Sequence, residues 1–230
     1  MQKFDNQKKL NGIIKEYELD KIFSKDMRPY MKLMTFKKNE YIIKQTDTIK
    51  YLVFVLKGKA KVFTTLSNGK SLLLCFYEGF MVLGELEIIA SKNAINNVQV
   101  IEDTYCIGIS SDNVRRFLLD DAIFLRYICD SLGSKLYQCS RNSSINLLYS
   151  LENRLASYIL TTGENKDLGE DTALIFNENL TEIAELLGTS YRHLLRTLKD
   201  FCSKGVLKKN QNYYLVMNKA ELVRISAELF

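Results

Sequence analysis

The chain has 230 residues, 47% of them hydrophobic and 26% charged, with a formal net charge of +5. This is the balance of a globular protein and excludes a disordered one; the length allows one large domain or two smaller ones. No apolar run approaches the roughly 18 to 20 residues that cross a bilayer, and the opening MQKFDNQKKLNG has neither the apolar segment nor the small-residue cleavage site of a secretory signal, so a cytoplasmic protein without a membrane partner is expected.

The five cysteines, Cys75, Cys106, Cys129, Cys139 and Cys202, are odd in number and show no CxxC spacing. They argue against a disulfide framework and against zinc. His193 is the single histidine, which excludes a His-rich metal site. No carboxylate pair, nucleophile–base set or phosphate loop stands out, and GKA and NGK lack the glycine spacing of a P-loop. No catalytic residue and no metal ligand is therefore assigned, and the chain reads as a non-enzyme.

In chain order, residues 1–35 read as helical and irregular, interrupted by Pro29. From Phe36 to Ile109 short β-rich runs alternate with glycine turns: EYIIKQ, YLVFVLKG, KAKVFTTL, SLLLCFY, NVQVIED and YCIGIS. Strands of about five residues at this spacing predict an antiparallel sandwich or barrel. Ser67-Asn68-Gly69 supplies the positive φ angles of a tight hairpin.

Helical patterning follows. Ser110 or Ser111 caps DNVRRFLL, and a long helix is predicted from about Ala122 to Asn142. Leu125, Cys129, Leu132, Leu136 and Cys139 recur at intervals of 4, 3, 4 and 3, the spacing of an a/d seam. Two readings stay open: the seam packs on the chain's own sheet, or it pairs with the same helix of a second subunit while Ile123, Phe124, Tyr127 and Ile128 dock the sheet. SRNSS breaks the pattern, placing a domain boundary between a 1–143 sensor-type domain and a 144–230 domain. Helix is expected again over Ile145–Leu160, then a polar loop, GENKDLGED, then the strand TALIFN.

The segment that carries function is NENLTEIAELLGTSYRHLLRTLKDFCSKGVLKK. Asn179 or Thr181 caps a first helix, Gly188 ends it and Ser190 caps a second. Tyr191, Leu194, Leu195, Leu198, Phe201 and Cys202 form an apolar stripe; Arg192, Arg196, Lys199 and Ser203 share the opposite face. Between Tyr191 and Lys209 six cations face one acid, Asp200. Two helices around a short turn, the second basic outside, make a helix-turn-helix suited to the DNA major groove. GVLKKNQNYYLVMN predicts two short strands around Asn210-Gln211-Asn212, a wing with Lys208 and Lys209 toward the phosphates.

These halves resemble the CRP/FNR superfamily of bacterial transcription regulators, and SYRHLL, NGKSLLLCF and GELEII look most like its YeiL-type branch. The resemblance implies an α+β fold: an N-terminal antiparallel β-roll of the cyclic-nucleotide-binding type, a long dimerisation helix and a C-terminal winged helix-turn-helix. It implies a homodimer on a near-palindromic double-stranded DNA site, with RNA polymerase as a further candidate partner. Ser190, Tyr191, Arg192, His193, Arg196, Lys199, Lys208 and Lys209 fall on its DNA-contact positions. Arg192 stands where many members have glutamate, so the preferred sequence should differ from theirs.

Gly84, Glu85 and Leu86 match the first half of the family's nucleotide cassette, and Cys139 falls near its nucleotide-facing helix positions. A structural turn is the alternative reading of Gly84-Glu85-Leu86. The second half, IASKNAINNVQV over 89–100, contains no arginine, and Lys92 falls too early. A buried phosphate without a matched cation is costly, so cyclic nucleotide is not expected. No cysteine precedes Cys75, which argues against the family's iron–sulfur option, and one histidine argues against haem. Cys129 and Cys139 fit core filling better than a redox pair across the dimer. The competing function is an effector-binding module whose C-terminal helices contact a protein instead of DNA.

Overall fold

The computed structural model describes residues 2–4, 7–167 and 172–227. It divides into two compact units, residues 1–65 with 74–140, and residues 66–73 with 141–230.

The first unit opens with β1 (Gln2–Phe4), α1 (Gln7–Glu16) and two short 3-10 turns, and continues with β2 (Met31–Phe36), β3 (Tyr41–Ile43), β4 (Tyr51–Lys57) and β5 (Lys59–Thr65). Then come β6 (Ser71–Glu78), β7 (Met81–Leu83), the short helix α2 (Glu85–Ala90), β8 (Asn97–Val100) and β9 (Thr104–Ser110). Two sheets result, in the orders β1-β2-β9-β4-β7 and β3-β8-β5-β6. The ladders of β4 with β9 and of β5 with β8 are antiparallel. Phe54, Leu52, Val82, Val100, Ile107 and Ile109 are almost fully buried in the core of this unit. Helix α3 (Ser111–Phe117) is capped by Ser110, whose Oγ accepts from the Asn113 N–H.

Helix α4 (Ala122–Leu148) starts at a cap that lies within DDAIF. The Asp121 carboxylate accepts from the N–H groups of Ile123 and Phe124, and also from the N–H (2.7 Å) and hydroxyl (2.9 Å) of Ser24. Phe124 and Ile128 lie on one helical face and are buried in the roll's core, which pins the first turns of α4.

The second unit holds α5 (Leu151–Thr162), β10 (Glu164–Asp167), β11 (Thr172–Phe176), α6 (Leu180–Leu186), α7 (Tyr191–Ser203), β12 (Leu207–Lys209), β13 (Tyr214–Val216) and α8 (Lys219–Ser226). Its sheet runs β10-β11-β13-β12. Ser150 and Asn153 form a reciprocal capping box that starts α5.

Four sequence expectations are corrected. MKLMTF is a central strand, β2, although residues before Phe36 read as helical and irregular; methionine and leucine give no strand signal, yet its burial follows the sheet. SRNSS does not break α4, which continues to Leu148, because Asn142 and Ile145 are buried and the serines tolerate helix. The helix expected from Ile145 therefore begins at Leu151. Part of the polar loop GENKDLGED is the hairpin strand β10; the remainder of it, 168–171, lies outside the described residues.

Candidate nucleic-acid interface and effector cavity

The helix-turn-helix is built from local hydrogen bonds. Asn179 Oδ1 accepts from the N–H of Thr181 at 2.9 Å and starts α6. Ile183, Ala184, Leu186 and Leu187 are buried beneath it. At its end Thr189 N donates to Ala184 O at 2.8 Å and Gly188 N to Glu185 O at 2.9 Å. This pair of bonds is the Schellman pattern, and it needs the left-handed conformation that Gly188 adopts at φ +60°. Ser190 Oγ then accepts from His193 N at 3.2 Å, which starts α7 within one turn.

Helix α7 is strongly two-sided. Leu194, Leu198 and Phe201 are fully buried, joined by Thr197, whose hydroxyl donates back to the His193 carbonyl at 3.2 Å. Tyr191, placed on the apolar stripe by spacing, is instead 49% exposed, because at the first helical position it lies ahead of the packed turns. Arg192, His193, Arg196, Lys199 and Ser203 are exposed with it. His193 Nδ1 meets Thr189 Oγ1 at 3.3 Å. In the wing, Lys208 and Lys209 are exposed on β12, and Leu207 is buried. Of the six cations between Tyr191 and Lys209, Lys204 reaches Glu152 at 3.9 Å; the other five carry no ion pair among the described residues. A cation face without internal carboxylate partners suits a polyanion.

In the first unit the four pocket candidates, Gly84, Glu85, Leu86 and Cys139, line one cavity of about 410 Å³. GELEII is more than a turn: Gly84 takes φ +87° and α2 begins at Glu85. A Cβ at Gly84 would lie 2.9 Å from both Ile49 Cγ2 and Tyr51 O, so a larger residue there strains the backbone and its neighbours. Glu85 is 2% exposed and forms an ion pair with Lys135 of α4. Lys135 Nζ also donates to Val82 O at 2.6 Å and stands 5.6 Å from the Tyr77 ring centre. Burial pushes the neighbouring Cys75 thiol up to about 12, against the pull of the Tyr77 hydroxyl, and raises Tyr77 itself well above the usual phenol range. Burial also raises Glu87.

The seam residues divide. Leu125 and Leu132 are half-buried and pack against the roll's core, whereas Cys129, Leu136 and Cys139 are exposed, Leu136 at 72%. The core filling expected of the two cysteines is therefore corrected: at these positions α4 turns them away from the packed face. Sequence reading missed Lys135, Tyr77, Glu87 and Arg154. Lys135 continues the Phe124–Ile128 face at helical spacing, which was a usable signal. Arg154 donates to the Leu187 carbonyl from 33 residues away and left none.

A two-sheet roll of the nucleotide-binding kind, a long helix and a winged helix-turn-helix define a CRP-like transcription regulator with a DNA-binding domain, not an enzyme. Residues 33–121 match the cyclic nucleotide-binding domain and residues 153–225 the Crp-like helix-turn-helix domain. The chain is 32% identical to regulatory protein YeiL of Escherichia coli over 207 residues, covering 90% of this chain and 91% of that one. It belongs to the CRP/FNR superfamily, in the YeiL-type branch. A CRP-like cAMP-activated global transcriptional regulator of Mycobacterium tuberculosis is 22% identical over 175 residues, covering 75% of this chain and 78% of its own. A CRP/FNR-family structure from Eubacterium rectale shares the fold with a TM-score of 0.73 at 16% identity, covering 98% of this chain and 95% of that one. Among the described residues no helix is long and apolar enough to cross a membrane.

Proposed function

We propose that the protein is a sequence-specific transcription regulator that acts as a homodimer on a near-palindromic DNA site in the cytoplasm. Tyr191, Arg192, His193 and Arg196, on the first two turns of α7 behind the Ser190 cap, reach base edges. Lys199, Lys208 and Lys209 hold phosphates. Cys129, Leu136 and Cys139 on the outward face of α4 meet the same face of a second subunit, and the cavity beside α2 is the effector site. No iron–sulfur cluster, haem or metal is part of this reading.

One observation carries it: α7 buries Leu194, Thr197, Leu198 and Phe201 and leaves the opposite face basic, exposed and without an ion pair among the described residues. A helix that only packs in its own domain gains nothing from such a face, since lone exposed cations contribute little to stability.

Affinity for double-stranded DNA measured against salt, with mass determination by sedimentation, tests it. The expected result is a dimer whose log affinity falls with log salt by about 0.9 for each phosphate neutralised. Salt-independent affinity would favour a protein partner for the C-terminal helices, and a monomer at every concentration would contradict the dimer.

A further inference from the structure

The charge around the roll cavity identifies what it can hold. Its lining carries two acids, Glu85 and Glu87, and one cation, Lys135. That cation is committed to Glu85, to the Val82 carbonyl and to the face of Tyr77. A phosphate or carboxylate entering the cavity would have to draw Lys135 away and leave Glu85 buried without a partner, which is strongly unfavourable. Lys92, the single cation of 89–100, does not line the cavity. The remaining walls are largely apolar, among them Ile43, Val62, Leu74, Val98, Leu132 and Leu136, with Asn96 as a neutral polar group. Cys75 and Tyr77 stay protonated and add no charge. The volume falls within the range of small-molecule sites, which are mostly apolar with few polar anchors.

We propose that this cavity takes a neutral, mainly apolar small molecule and excludes cyclic nucleotides and other anions. The inference deepens the effector-site reading above and rests on it. Glu87 and Asn96 supply the polar anchors. The walls come from β6 (Leu74, Cys75, Tyr77) and from α4 (Leu132, Leu136, Cys139), so an occupant touches both the roll and the helix proposed to pair the subunits.

The test uses the full chain and the neutral dye N-phenyl-1-naphthylamine, whose emission rises in apolar surroundings. Saturable binding is expected, unchanged by millimolar cAMP or cGMP. Filling the cavity with Leu74→Trp should weaken it at least about tenfold, as loss of the accommodating space requires. Leu74 is half-buried, so Leu86→Trp, at an exposed lining position outside the proposed subunit seam, gives the same reading if the first variant does not fold. Absence of saturable binding, displacement by a cyclic nucleotide, or full binding in the folded variants would each overturn the proposal. DNA affinity is measured on the same samples. In the unsubstituted chain, absence of dye binding with DNA binding intact counts against this inference alone, and dye binding without DNA binding counts against the regulator reading alone.

Discussion

The guanidinium of Arg154 donates to the carbonyl oxygen of Leu187 at 2.7 Å, so that α5 holds the end of α6 where the chain turns toward the reading helix. Leu187 closes α6, and its carbonyl is among those a helix end leaves without an intrahelical partner. Burial lowers the Arg154 pKa from the usual arginine value.

Arg154→Met keeps most of the apolar stem and removes the donor. It should destabilise the second unit by about 1.5 to 3 kcal/mol, the range for a hydrogen bond to a charged group. It should also weaken DNA binding, although Arg154 is not among the residues assigned to DNA. Thermal melting and a DNA-binding titration of the same variant check both effects.

Arg196 and Lys208 should separate by specificity. Arg196→Ala is expected to cost about 1 to 3 kcal/mol on the specific site and to relax preference at one base pair, as loss of a bidentate guanine contact does. Lys208→Ala should weaken specific and random DNA alike and lower the salt slope by about one phosphate. Competition titrations against both DNAs measure the difference; equal losses for Arg196→Ala would place that side chain on phosphate.

Asp121 ties α4 to the N-terminal segment and should make that tie acid-sensitive. Burial pushes its carboxyl up, but the Ser24 N–H and hydroxyl, with the N–H groups of Phe124 and Ile123, outweigh it and hold the pKa below the usual aspartate value. A depressed folded pKa contributes stability that is present above the unfolded value, near about 3.9, and is lost as pH falls through the folded one. Asp121→Asn should therefore cost about 1 to 2 kcal/mol at pH 7, with the gap from wild type closing below about pH 4. Urea unfolding of both proteins across that range is the measurement.

Gly84→Ala should destabilise the roll by about 1 to 3 kcal/mol, from positive-φ strain and the close approach to Tyr51 O and Ile49. Thermal melting reads it directly. A neutral result would mean that the turn before Glu85 relaxes at little cost.

What was legible in the chain was local. Asn179, Gly188 and Ser190 act through bonds to groups within five residues, so their types and spacing announce the two helices and the turn. The hairpin at Asn68-Gly69 was legible for the same reason: Leu66 and Lys70 pair across it. The strand β2 was not, because MKLMTF owes its conformation to the distant β9 neighbour, which pairs Met31 with Ile109 and Phe36 with Thr104, rather than to its own propensity. Asp121 with Ser24 and Lys135 with Glu85 are likewise partners 97 and 50 residues apart, and only folding brings them together. The absence of arginine from 89–100 was visible; helical spacing put Lys135 on the roll-facing side of α4, but its pairing with Glu85 was not legible.

Selection of bound sites from a pool of random double-stranded DNA tests the central claim most directly. An enriched inverted repeat is expected, with half-sites about 10 base pairs apart from centre to centre, the spacing of two reading helices on successive turns of one groove. Enrichment of nothing, or of a single unrepeated element, would contradict a dimer that reads sequence through α7.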